Sequence, residues 1–496
     1  MPARSGQEYI DNLSANPAEV WIGGEKVKDV TTHPAFQNGV RSLAALYDLQ
    51  HNPNTKDAMT FESPASGDPG GLSFIVPKAV DDLVKRREMM TAWAWESCGM
   101  MARTPDFLNC AISGWAGSAE YFSANRADSK DNVLRYHDYI RENDLTLTHT
   151  LVNLQRSRNP SVLDKLEDQV ALTVVKETDS GIVVHGSRIL ATLGPISDEI
   201  AVYPTRTHLL GEEARKQAFS FALPCTTPGM KFMCRESLDM GRSHFDHPLG
   251  SRFEEMDALV FFDNVFVPWE RVFLLGDVDL CNNFAAATQS TSHTGHQVVN
   301  RTVVKTEFLL GLTSLMAETL GSTQVPHVQE RIGEIVVNLE MMKACVRASE
   351  ADAKLNEWGV MCPAFGPLTA ARAMFSGTMY SRMAEIVQLL GSSSLMGLPA
   401  EADFSAEIAP ELDRYLATDS TDARDRVRLF HLAWDVACSA FGGRQTLYER
   451  FFGGDPVRNT MLLYQGYNKT PAMERVQRFL ELSLIHISEP TRRTPI

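Results

Sequence analysis

The stretch VALTVVKETDSGIVVHGSRILAT, residues 170–192, stands between two long helical textures and does not read as a helix itself. Its β-branched residues are stiff at χ1 and suit a pleated surface. Asp179-Ser180-Gly181 at its middle is a hairpin turn signal. AFSFALP (218–224) and ALVFFDNVFVPWERVFLL (258–275) extend the β texture, with Asp263-Asn264 read as a turn and Pro268 as a strand end.

On the N-terminal side, TTHPAFQNGVRSLAALYDLQHNP (31–53) predicts a helix from its Thr-x-His-Pro start to its Asn-Pro stop, with Val40, Leu43 and Tyr47 on the apolar face. AVDDLVKRREMMTAWAWESCGMM (79–101) predicts a second, with Leu83, Met90, Trp93 and Ser97 along one side. That pattern meets Arg103 and then Thr104-Pro105-Asp106, read as a turn. On the C-terminal side, HVQERIGEIVVNLEMMKACVRASEADA (327–353) places Val328, Ile332, Ile335, Leu339, Met342 and Cys345 on one face. ARAMFSGTMYSRMAEIVQLLG (371–391) and ARDRVRLFHLAWDVACSAFG (423–442) do the same, so these helices pack as a bundle. The fold class is α+β, mainly α: helical over 1–148, β over 149–277, and a bundle over 278–482. LIHISEPTRRTPI (484–496) has no period and reads, with residue 483, as a non-native tail outside the fold.

At 496 residues the chain exceeds one compact core. The formal net charge of −15 argues against nucleic acid and against an anionic membrane, both of which need a basic face. No apolar run is long enough for a membrane span or resembles a signal peptide, so a cytoplasmic protein is expected. The eight cysteines are scattered without C-x-x-C, as reduced thiols are. No G-x-G-x-x-G, P-loop, H-E-x-x-H or G-x-S-x-G occurs, so a site must be assembled from distant pieces.

Four pieces stand out. Arg103 either snorkels or pairs with Asp106, or it enters a buried pocket and meets an anionic ligand. His149, in LTLTHTLVNLQRSR (145–158), is either structural or a site residue beside Gln155, Arg156 and Arg158. His293 and His296, in ATQSTSHTGHQ (287–297), share a helix face, but without a carboxylate nearby a metal is not expected. In FGGRQTLYERFFGGDPVR (441–458), Gly442-Gly443 reads first as a helix stop, and GGDPVR as either a turn or a phosphate cradle.

These pieces, with GEKVKDVTTHPAF (24–36), MMARTPD (100–106), HPLGSRFEEMDALVFFDNVFVPWERV (247–272) and YNKTP (467–471), resemble the reduced-flavin-dependent phenol hydroxylase family of 4-hydroxyphenylacetate 3-monooxygenase oxygenase components over residues 5–482. The resemblance implies an acyl-CoA-dehydrogenase-like fold with an N-terminal helical domain, a middle β-barrel and a C-terminal four-helix bundle, assembled as a homotetramer. It implies FAD, delivered reduced by a separate NADH-dependent flavin reductase, with molecular oxygen as co-substrate. The expected reaction is hydroxylation of a 4-substituted phenol, 4-hydroxyphenylacetate first, ortho to its hydroxyl. Arg103 matches the arginine on the phenol oxygen and His149 its histidine partner. His149, Gln155, Arg156, Ser157, Arg158, Leu190, Ala191 and Thr192 match flavin contacts, as do Asp455, Pro456, Val457 and Arg458 from the bundle of a neighbouring subunit.

The chain departs from the family pattern at Phe107, where a Tyr is usual, and at Thr205-Arg206, where a Ser-Thr pair holds the acetate carboxylate. Related branches act on phenol, chlorophenols or nitrophenols, and some use a histidine matching His293 or His296. A radical dehydratase of the same superfamily is a further alternative, but no close cysteine pair lies near Arg103 or His293 in sequence. A catalytically dead flavin-binding scaffold is the third reading.

Overall fold

The computed structural model describes residues 2–154, 170–204, 212–239 and 241–488. The 170–192 stretch forms the expected hairpin, Thr173–Thr178 against Gly181–Thr192, and the longer strand becomes the spine of the β region. Asp257–Pro268 pairs along its other edge with Asp257 opposite Thr192. These strands belong to a seven-stranded sheet completed by Val152–Asn153, Met230–Cys234, Val20–Ile22 and Glu25–Lys26. A second sheet of four strands runs Val272–Leu275, Phe219–Pro224, Glu199–Val202, Leu147–Thr150. The two pack face to face through Ile182, Val184, Val260 and Phe262 on one side and Ile200, Val202, Phe219 and Phe221 on the other. The middle region is therefore a pair of stacked open sheets. No hydrogen-bonded closure into a barrel joins them among the described residues.

Asp263-Asn264 is not a turn. The strand continues past it, and the register against Gly181–Thr192 shifts there, with Asn264 at φ 51°. The pair forms a β-bulge.

Helices flank this sandwich. Val80–Glu96 buries Leu83, Met90 and Trp93 as its periodicity predicts. It stops earlier than the apolar pattern suggests, because Cys98 (φ 52°) and Gly99 (φ 70°) take the left-handed conformation. Thr104-Pro105-Asp106 does not end a helix but begins one: Pro105 is the first residue of Pro105–Gly117, where its missing N–H costs nothing. The bundle is built from Ser290–Thr319, Pro326–Ala351, Phe365–Met374 continuing through a π-turn into Tyr380–Gly391, and Ala423–Ala437. Its core includes Leu312, Met316, Ile335, Met342, Met383, Ile386, Phe430 and Ala433. Gly442-Gly443 does not stop a helix. Ser439 caps the Gly442 N–H, and both glycines lie in the first turn of Ala440–Phe451. A Cβ on Gly442 would come 2.6 Å from the Val436 carbonyl oxygen, so the tight corner requires glycine. The last helix, Thr470–Ser488, extends into the segment read as a tail. No described helix is long and apolar enough to cross a membrane.

Candidate active site

Arg103 lies in the extended link between Val80–Glu96 and Pro105–Gly117 and is 8% exposed. The link is held by one buried carboxylate. Glu255 Oε1 accepts the backbone N–H groups of Ala102 (2.6 Å) and Arg103 (2.7 Å), and Glu255 Oε2 accepts Arg444 Nη1 (3.0 Å). Arg444, on Ala440–Phe451, also grips Asp257 at 2.8 and 2.9 Å, which joins bundle, sheet and link in one network.

The Arg103 guanidinium does not pair with Asp106. It lies 4.0 Å from the Phe107 ring centroid, 5.1 Å from Phe452 and 5.6 Å from Tyr448, an aromatic box that favours a cation. Its Nη1 is buried without a hydrogen-bond partner among the described residues. Asp106 instead accepts Thr104 Oγ1 at 2.6 Å, with Gln297 Nε2 at 3.3 Å, and burial pushes its carboxyl up to about 6.

His149 comes from the Leu147–Thr150 strand, where it stands opposite Ala201. Its ring sits between Phe107 (5.6 Å) and Tyr203 (5.3 Å), so the aromatic four residues after Arg103 orients both candidate catalytic groups. Phe107, His149 and Tyr203 line a cavity of about 600 Å³ between the sandwich and the bundle. Arg372 and Arg458 line it as well, and none of its described lining residues is Asp or Glu. In a chain of formal charge −15 this is a selectively cationic hollow. Arg372 donates to the Gly453 carbonyl while its Nε is buried without a partner among the described residues. Burial, followed by the nearby Arg103 charge, brings Arg372 down to about 10. A polyanionic aromatic cofactor such as FAD suits this donor set: aromatic walls, two arginines, and no acid among the described lining residues to repel it.

The other expected contacts are distributed unevenly. Leu190 is 42% exposed, whereas Ala191 is buried and Thr192 Oγ1 donates to Asp257 Oδ1 at 2.8 Å. Asp455 caps the Pro456–Gly466 helix by accepting the Val457 and Arg458 N–H groups, so its own carboxylate occupies the proposed phosphate cradle. Arg458 reaches the cavity; Asp455, Pro456 and Val457 are not among its lining residues. Gln155, Arg156, Ser157, Arg158, Thr205 and Arg206 lie outside the described residues.

His293 is not a cavity residue. It is fully buried on Ser290–Thr319, with Nδ1 3.1 Å from Arg86 Nη2 and Nε2 3.7 Å from Cys362 Sγ. Burial and then Arg86 hold it well below the usual histidine range, hence neutral. His296 has the carboxylate that the sequence did not reveal, Glu350 Oε1 at 2.8 Å. No group of three metal-ligating side chains occurs among the described residues. Sequence reasoning missed Tyr203, Arg372, Glu255 and the Tyr448–Phe452 wall. Glu255 and the wall sit inside blocks quoted for other reasons, and Arg372 carried no local signal.

Comparison with known proteins adds an independent line. A family described as 4-hydroxyphenylacetate 3-hydroxylase matches with its N-terminal part over residues 5–274 and its C-terminal part over 281–481. The 4-hydroxyphenylacetate 3-monooxygenase oxygenase component of Thermus thermophilus is 47% identical over 97% of this chain and 98% of its own. A crystal structure of such an oxygenase component complexed with FAD and 4-hydroxyphenylacetate superposes with a TM-score of 0.92 at 47% identity, covering 98% of this chain and all of that one. An archaeal 4-hydroxybutyryl-CoA dehydratase shares the fold alone, with a TM-score of 0.85 at 19% identity over 99% of this chain and 97% of its own.

Proposed function

We infer the function from the premise that this chain belongs to the 4-hydroxyphenylacetate 3-hydroxylase family. It is the oxygenase component of a two-component FAD-dependent monooxygenase. The reaction hydroxylates 4-hydroxyphenylacetate ortho to its hydroxyl and gives a catechol. Reduced FAD, when bound, supplies two electrons to dioxygen, one atom of which enters the ring while the other leaves as water.

The observation that carries the reading is Arg103, a cation with a buried unpaired nitrogen in an aromatic box next to His149. A phenol, with a pKa of about 10, is a poor nucleophile at its ring carbons. Its phenolate pushes charge onto the ortho position. Arg103 cannot deprotonate and favours that anion, and the box limits its hydration. His149 is placed to take the phenolic proton and return it. The apolar lining of Phe107, Phe284 and Phe365 excludes water from the reacting centre. Arg372 and Arg458 attract the anionic groups of cofactor and substrate, and residues 155–158 and 190–192 complete the flavin site.

The substrate is a phenol and the electrons come from a separate reductase component, which we take to be an NADH-dependent flavin reductase. Exposed apolar side chains along the last two helices, including Val457, Tyr464, Val476 and Phe479, support burial against other subunits, in keeping with the homotetramer we propose. The N-terminal helical region, β region and bundle act as domains with limits near 148 and 277. A cytoplasmic location accords with the reductase partner.

The test supplies photoreduced FAD and air with 4-hydroxyphenylacetate, phenol, 4-chlorophenol or 4-nitrophenol, and separates the products by chromatography. The expected main product is 3,4-dihydroxyphenylacetate. Hydrogen peroxide without any ring product would overturn the assignment.

A further inference from the structure

Tyr203 follows the Glu199–Val202 strand, and its backbone N–H donates to the Thr150 carbonyl at 3.0 Å, fixing it beside the His149 strand. Its ring is clamped on three sides: Trp115 at 4.9 Å, His149 at 5.3 Å and Phe284 at 5.9 Å between centroids. The ring borders the cavity, yet its hydroxyl is buried and has no hydrogen-bond partner among the described residues. Leaving a buried hydroxyl unpaired costs free energy comparable to a lost hydrogen bond. The clamp prevents the ring from swinging toward bulk water. A hydroxyl held this way, next to the imidazole and within electrostatic reach of Arg103, awaits an acceptor that arrives with a ligand. On the opposite face of His149, Phe107 offers a ring but no donor.

Resting on the phenol-hydroxylase reading above, we propose that Tyr203 is a further catalytic residue: its hydroxyl donates a hydrogen bond to the phenolic oxygen of the substrate, sharing the developing phenolate with Arg103. The titratable groups near this hydroxyl are Arg103 and the Cys110 thiol, with the His149 ring alongside; the Cys281 thiol lines the same cavity. Burial pushes both thiols up to about 12, so they stay neutral. Burial also raises the Tyr203 hydroxyl well above its ordinary value, with Arg103 opposing, so it remains a donor across the working pH range. No proton leaves Tyr203 in the cycle; it polarises, while His149 transfers.

The experiment titrates 4-nitrophenol bound to the FAD-loaded protein and follows the phenolate absorption band, in wild type, Tyr203→Phe and Tyr380→Phe. Tyr380 also has a buried hydroxyl without a partner among the described residues, but it stands in the bundle beside Lys305 and does not line the cavity. Wild type is expected to lower the phenol pKa relative to free solution. Tyr203→Phe is expected to raise the bound value by about one to two units and to lower kcat for 4-hydroxyphenylacetate roughly tenfold to hundredfold, the reach of one hydrogen bond to a charged oxygen. Tyr380→Phe is expected to leave the titration unmoved. A Tyr203→Phe titration that superposes on wild type overturns the assignment of Tyr203 while the phenol site stands. A wild type that binds 4-nitrophenol without lowering its pKa overturns both.

Discussion

Substituting Glu449 by Gln should be among the most damaging single changes in the bundle, while Lys305→Met, in the same network, should be mild. Glu449 is fully buried on Ala440–Phe451. It receives Arg301 through both carboxylate oxygens and Lys305 Nζ at 2.7 Å, and Lys305 also donates to Gln445 at 2.6 Å. Burial pushes the Glu449 carboxyl up, but Arg301 and Lys305 outweigh it and hold it at about 2, so it is ionised at neutral pH. Lys305 shows the opposite balance: burial drives it down to about 8 against the pull of Glu449. Glu449→Gln preserves shape and leaves two buried cations without a counter-charge, a loss of about 3–5 kcal/mol. Lys305 would then shed its proton near neutrality, but Arg301 cannot. Lys305→Met removes the cation that burial already disfavours and leaves the two-oxygen Arg301–Glu449 pair, for a loss of about 1 kcal/mol or less. The assay is urea melting of each variant at neutral pH, repeated down to acid. Because the folded carboxyl lies below its ordinary 4.5, its stabilisation is complete above that pH and is lost as pH falls from 4.5 toward 2. Glu449→Gln should flatten that acid limb. A loss within about 1 kcal/mol of wild type, or a Lys305→Met loss as large as that of Glu449→Gln, would refute the reasoning. The network also supports the site, since Arg301 Nη1 donates to the Gly99 carbonyl (3.1 Å) and Gln445 to Met100 (3.2 Å), just before Arg103.

Asp257→Asn should lower stability by roughly 3 kcal/mol at neutral pH, because Arg444 and Arg235 both close on this carboxylate. Burial raises the Asp257 carboxyl, but the two arginines outweigh it and hold it at about 2 against an ordinary 3.8, so its contribution is present above 3.8 and fades as pH falls to 2; circular dichroism across that window should show a shallower decline in the variant. Gly114→Ala should cost about 1–3 kcal/mol in chemical denaturation, since the new Cβ would lie 2.8 Å from His293 Cδ2 and press the ring against Arg86. Gly311→Ala, in an open position of Ser290–Thr319, should instead stabilise by roughly 0.5–1 kcal/mol.

The local conformations were more legible than their consequences. Asn264 does take the left-handed conformation that Asp-Asn suggests, but whether that makes a turn or a bulge depends on the partner strand, and Gly181–Thr192 continues on both sides. Gly442-Gly443 does mark a corner between helices, but Ser439 starts the new helix before the glycines instead of after them. The buried faces of Val80–Glu96 and Pro326–Ala351 follow directly from their periodicity, since packing onto a core demands it. What no local rule could supply was the wall of Tyr448 and Phe452, or Arg372, which arrive at Arg103 and the cavity from hundreds of residues away.

Arg103 itself was legible as an anomaly, and the structure explains why it stays available. Glu255, a buried acid bonded to the link, is fully engaged: one oxygen takes two backbone N–H groups and the other takes Arg444. Asp106, the acid closest in sequence, is turned to Thr104 and Gln297. Each acid that would quench the guanidinium is committed to backbone, to another arginine or to a neutral partner. An arginine of a solvated helix end would show the reverse, a paired head and loose surroundings. Here the surroundings are fixed and Nη1 of the head has no partner among the described residues, the arrangement that the proposed role of Arg103, holding a phenolate formed only during reaction, would require.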